Sequence, residues 1–177
     1  MASRTYPEVE ALHAIGEATG VSAFMNTSWG WPAVESAHFF GLAVLLGTLG
    51  LFDLRILGVA KSIPTDALHR LVPISIGAFA LNAASGLMFL VTMPDQYLYN
   101  PSFQIKLVAM IIAGLNVVLF YAVAAKGALA CGSGEDAPWQ AKLFAGASLA
   151  AWIVVIVSGR LITLWRPPAY LCLWCVN

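Results

Sequence analysis

Four stretches of the chain, 31–52, 71–92, 107–125 and 143–165, are almost free of charge. Each is close to the roughly 20 residues a helix needs to cross a hydrocarbon core about 30 Å thick. The second and third carry no charged residue, and the fourth is interrupted only by Arg160. Lipid offers no hydrogen-bond partner to exposed backbone, so each stretch must be helical. A β-barrel is excluded, because nothing alternates apolar and polar residues over ten-residue units. The composition agrees: 60% of residues are hydrophobic and 10% charged, against about 25% charged in soluble domains. The expected fold is all-α, a four-helix transmembrane bundle with a short amphipathic N-terminal segment.

The connectors carry helix-end signals. Ser62, Pro64, Thr65 and Asp66 precede the second span, Pro94 and Asp95 end it, and Asn100, Pro101 and Ser102 form a turn before the third. The expected spans are about 31–55, 66–93, 104–126 and 140–165, within a membrane domain at 31–166. Segment 1–30 is read as interfacial and 167–177 as a tail. Within 6–18, Val9, Leu12, Ile15 and Ala18 fall on one side of a helix suited to lying on a membrane surface. The N-terminus lacks the apolar core of a signal peptide and carries Glu8, Glu10 and Glu17.

Four spans place both termini on one side. The opposite side carries Arg55, Lys61, Arg70, Lys126 and Lys142, against Arg4, Lys106, Arg160 and Arg166. The positive-inside rule then puts the loops in the cytoplasm and the termini outside. Trp29, Trp31, Trp165 and Trp174 mark the terminal-side belt, and Trp139 the other.

Several chemistries are excluded. Nine basic and nine acidic residues cancel, so no basic surface points to nucleic acid. Three cysteines are too few for a disulfide framework, and Cys172-x-x-Cys175 stands in no thioredoxin-like pattern. No nucleophile–base set, P-loop or dinucleotide fingerprint is present.

The polar residues inside the spans hold the functional signal, because charge at membrane depth is costly. At 1.5 Å per residue, Glu35 lies about 6 Å and His38 about 10 Å below Trp31, and Arg160 about 8 Å below Trp165. With Lys106 at the start of the third span and Asn82 in the second, they form an expected outer cluster. In it Glu35 pairs with Arg160 or Lys106, and His38 faces the same interior. A second set gathers near the loop side: Asp53, Arg55, His69, Arg70, Asn116 and Tyr121. Asp53 and Arg55 are read as caps of the first span, with partners in Arg70 or Lys126.

The runs "WPAVESAH", "DLRILG", "NPSFQIK", "GLNVVLF" and "SLAAWIVVIVSGRLI", in that order, resemble an uncharacterised family of small four-span bacterial membrane proteins. In that family a histidine follows the Phe ending the third-span motif; here Tyr121 stands there. The resemblance implies the topology and no chemistry.

Two roles are open to His38: a cross-helix hydrogen bond, or ligation of a metal or haem. A shared haem on His38 and His69 is excluded, since they begin adjacent spans from opposite surfaces, about 20 Å apart in depth. Glu35-x-x-His38 is half of a di-iron motif, but no other span carries a glutamate. The leading expectation is a b-type cytochrome that exchanges electrons with quinone. His38 holds haem b, or His38 and His69 each hold one, Arg160 and Lys106 meet the propionates, Phe39, Phe40, Phe79 and Trp152 form aromatic walls, and Glu35 relays a proton. The alternatives are a non-catalytic accessory subunit of a larger membrane complex or a homo-oligomer, and a small proton-coupled transporter.

Overall fold

The computed structural model describes residues 6–164. In chain order the helices are α1 (Pro7–Ala18), α2 (Val21–Met25), α3 (Gly30–Leu57), α4 (Thr65–His69), α5 (Val72–Thr92), α6 (Pro94–Tyr97), α7 (Pro101–Val123), α8 (Ala125–Leu129) and α9 (Trp139–Leu164). Among the described residues four spans are long and apolar enough to cross a membrane, the second being α4 and α5 together.

Local chemistry sets the ends. Asn100 caps α7 by accepting from the Ser102 amide at 2.9 Å, with Pro101 in the first turn. Gly58 ends α3 in the left-handed region at φ 100°. The second span breaks between His69 and Val72, just before Pro73, whose ring supplies no N–H to a continuing helix.

The spans pack as two antiparallel hairpins, α3 with α5 and α7 with α9, joined by a contact of α3 with α9. Small residues let the helices approach. Ala109 and Ala113 of α7 are buried in the same cluster as Ala151 and Trp152 of α9. At Gly41 of α3 a Cβ would lie 2.6 Å from Asn82 Nδ2 and 3.2 Å from the Ala78 carbonyl oxygen, so a larger residue would have to displace the Asn82 side chain where α3 crosses α5. By contrast, α5 and α7 make no extensive contact, and the bundle opens between them.

The N-terminal segment departs from expectation. Rather than presenting Val9, Leu12, Ile15 and Ala18 as one face, α1 docks across the ends of α5 and α6. Val9 and Gly16 are buried, whereas Ile15 is 51% exposed. A Cβ at Gly16 would meet the Val91 carbonyl oxygen at 2.7 Å. Polar contacts complete the dock: His13 to Asp95 at 3.2 Å, and the Tyr99 hydroxyl donating to Glu8 Oε1 at 2.5 Å.

On the loop side, segments 58–64 and 130–138 are stitched together. Gly134 N donates to the Lys61 carbonyl at 2.7 Å, and the Ser133 hydroxyl to that of Ser62 at 2.9 Å. Asp136 pairs with Lys61 at 3.0 Å and Lys142 at 2.9 Å. These two ammonium groups, Lys142 foremost, hold its carboxyl below the usual carboxylate range. Arg55 sits fully buried beneath, donating Nε to Ile63 O and Nη2 to Gly132 O at 2.8 Å and Glu135 O at 3.3 Å. Arg55 is therefore a loop clamp and not an interfacial cap. Arg70, its expected partner-side neighbour, pairs instead with Asp66 at 3.0 Å.

Candidate functional site

The gap between α5 and α7 leads into a cavity of about 270 Å³ walled by all four long helices. Most of its surface is apolar, contributed by residues such as Leu45 and Leu49 of α3, Ile76 of α5 and Val117 of α7. Ile76 and Val117 are exposed on the outer surface of the bundle, so the cavity is a cleft open between α5 and α7.

Polar groups converge at its loop-side end: Asp53 of α3, Ser75 of α5, Asn116 and Tyr121 of α7, and Ser148 of α9. Asp53 is 4% exposed. The Ser148 hydroxyl donates to its carboxylate, while Oδ2 has no partner among the described residues. The other groups are largely occupied. Asn116 Nδ2 donates to the Phe144 carbonyl at 3.0 Å, and Ser75 Oγ lies 2.7 Å from Thr48 Oγ1. Tyr121 OH and His69 Nε2 are 2.9 Å apart, which ties α4 to the cleft wall. The Phe52 ring stacks near His69 and edge-on to Phe120.

Of the expected loop-side set, Asp53, Asn116 and Tyr121 thus meet in one cleft, His69 joins through Tyr121, and Arg55 and Arg70 turn to the loops. Asp53 is no cap: it faces the cleft. Ser148 and Phe144 escaped the sequence reading, because a serine or phenylalanine inside an apolar span signals nothing until its helical neighbour is known. Phe79 and Trp152 do form aromatic walls, their rings 6.4 Å apart, but of this cleft and not of a His38 pocket.

The outer cluster comes together only in part. His38 is half-buried between α3 and α5, with Nδ1 2.8 Å from Ser85 Oγ. Ser85 turns its single hydroxyl hydrogen to the Leu81 carbonyl at 2.7 Å, so its oxygen accepts from His38 Nδ1–H. The lone pair of the neutral ring then sits on Nε2. His38 also lies beside the Asn82 backbone carbonyl and within electrostatic range of Lys106. The Asn82 side chain is spent on the Ala78 carbonyl at 3.0 Å. Lys106 lies over Gly159 of α9, where an added Cβ would be 3.6 Å from its Nζ.

The expected pairing of Glu35 with Arg160 or Lys106 is not formed. Glu35 and Arg160 are both exposed, and the four ion pairs among the described residues lie elsewhere. Depth matched, but direction around the helix axis did not. Phe39 and Phe40 are exposed to the outside and wall nothing. Among the described residues no group of three or more His, Cys, Asp or Glu is placed to hold a metal ion. Arg4, Trp165, Arg166, Cys172, Trp174 and Cys175 lie outside the described residues.

The chain belongs to a family of unknown function, DUF6644, whose sequence profile matches residues 11–165. No curated protein and no solved structure matches it. The membership agrees with an uncharacterised family and adds no chemistry.

Proposed function

We propose that this DUF6644 member binds a lipid-soluble small molecule in the cleft between α5 and α7, the molecule entering sideways from the bilayer. The observation that carries this reading is Asp53, a buried carboxyl with an unpartnered oxygen at the polar end of an otherwise apolar cavity. Ligand sites are typically apolar pockets with a few convergent polar groups, and a polar atom left unpaired in such a place costs stability until something satisfies it. Gly114 offers a plug: it lines the cleft, and a Cβ there meets nothing within 4 Å. Native mass spectrometry of the detergent-solubilised protein should show a retained hydrophobic adduct that Gly114→Phe releases. The same adducts on both proteins would contradict the reading.

A second reading, the b-type cytochrome, is favoured by the His38 geometry. A ring held at Nδ1 by Ser85 presents Nε2 in the fixed orientation that metal-ligating histidines show. Haem b, when bound, supplies one-electron redox chemistry, for which quinol is the candidate donor. The residues fit that group in part. His38 would be one axial ligand and Lys106 the cation for a propionate, while the exposed Arg160 turns away. His69 is engaged with Tyr121 at the opposite end of the span.

For orientation we place the loop side in the cytoplasm, on the excess of Arg55, Lys61, Arg70, Lys126 and Lys142 over Arg4, Lys106, Arg160 and Arg166, and the resemblance to small bacterial membrane proteins supports a bacterial inner membrane. Cys131 is buried and hydrogen-bonded to the Gly127 carbonyl, so it is a poor reporter. An impermeant thiol reagent on intact cells should spare a Lys126→Cys variant; rapid labelling would reverse the assignment.

A further inference from the structure

Resting on the cleft reading, we infer that the ligand is a lipophilic organic cation, an amine or quaternary onium with apolar substituents. Two independent features of the lining point there. The first is charge. Asp53 is the one carboxyl group in the wall, and neither lysine, arginine nor histidine lines the cavity. Its carboxylate has one hydrogen-bond donor in Ser148 and an open oxygen, with no protein cation among the four ion pairs directed at it. A positive ligand supplies the charge that the protein does not, in a medium where opposite charges attract far more strongly than in water.

The second is aromatic content. Six rings line the cavity: Phe52, Phe79, Phe120, Tyr121, Phe144 and Trp152. They come from all four long helices. Aromatic faces attract cations through the ring quadrupole, most strongly when the cation is desolvated, and aromatic cages are the usual means of holding quaternary ammonium groups. A neutral ligand without a donor would use the apolar walls equally well but leave Asp53 Oδ2 unsatisfied, and a neutral hydroxyl would satisfy that oxygen without supplying the charge or using the ring faces as a cation does. An anion would be repelled. The hydrogen bond between Tyr121 and His69 holds one of these rings in the cleft wall.

Tetraphenylphosphonium and tetraphenylborate have nearly the same shape and opposite charge. Equilibrium binding of each to the detergent-solubilised full chain separates charge from hydrophobicity. The expected result is that wild type prefers the phosphonium by at least about tenfold, a difference of about 1.4 kcal/mol or more. Asp53→Asn should remove that preference, and Gly114→Phe should weaken both ions. Equal binding of the two ions to wild type, or a preference that persists in Asp53→Asn, overturns the inference. If both ions bind equally and both are lost in Gly114→Phe, the cleft reading stands and the cation assignment falls. If neither ion binds, the cation assignment also falls, and the cleft reading is judged by the retained adduct alone. Should Asp53→Asn fail to fold, the two-ion comparison on wild type still decides.

Discussion

Arg55 Nη2 donates to the carbonyl oxygen of Gly132 at 2.8 Å, across 77 residues of chain. The same guanidinium holds Ile63 and Glu135, so a single side chain ties the end of α3 to both loops on that side. Hydrogen bonds from a charged donor are each worth about 1.5–3 kcal/mol. Arg55→Ala should therefore destabilise the bundle by on the order of 3 kcal/mol, and trypsin should cut faster at Lys61 and Lys126. Arg55→Lys should recover little, because an ammonium lacks the planar fork that reaches several carbonyls at once. Unchanged melting and cleavage in Arg55→Ala would refute the clamp.

The docking of α1 should depend on pH through Glu8 and Tyr99. The hydrogen bond from Tyr99 holds the Glu8 carboxyl below its usual range, and the same bond pushes the phenol up to about 12. For Glu8 the lowered value means a contribution present above the unfolded carboxylate range, near 4.5, and lost as pH falls through the folded value. For Tyr99 the raised value means a contribution present below the phenol's unfolded value, near 10, and lost as pH rises through about 12. The dock is thus tightest between these limits. Amide hydrogen exchange across Pro7–Ala18, corrected for its intrinsic pH dependence, should slow from pH 3.5 to pH 6 in wild type. In Tyr99→Phe that change should shrink. The same profile in both proteins would show that the contact does not act.

If haem b binds, it binds at His38. An absorption spectrum of protein purified from haem-replete cells should lose its Soret band in His38→Ala and keep it in His69→Ala, whose ring is engaged by Tyr121. Ser85→Ala should weaken haem binding about 10-fold or more, since it frees the ring to rotate. A colourless wild type would remove the cytochrome reading and leave the cleft reading untouched.

The topology was legible because span length and charge exclusion are properties of one helix at a time. The expected 31–55 and 140–165 correspond to Gly30–Leu57 and Trp139–Leu164. The site was legible only in depth. Asp53 and Tyr121 fell near the loop-side surface and Asn116 nearer the middle of its span, and all three share a cleft. Glu35 and Arg160 also fell at one level, yet both point outward. Rise along the axis is fixed by residue number, whereas the direction a side chain faces depends on which neighbour the helix packs against. Arg55 looked interfacial for a related reason: no local pattern shows that loops 58–64 and 130–138 fold back over it. The gap between α5 and α7 has no sequence signature, because both helices are apolar all round.

A cleft entered from the bilayer exposes its polar end to reagents dissolved in the membrane. A membrane-soluble diazirine, photolysed in native membranes and mapped by peptide mass spectrometry, tests it most directly. The expected result is labelling of residues inside the bundle, Asp53 foremost because carboxylates trap the photoproduct, with Asn116 and Ser148 beside it. Gly114→Phe should suppress that labelling and spare the outer faces. Labelling confined to outward residues such as Ile111, Leu115 and Val118, with Asp53 untouched, would contradict it.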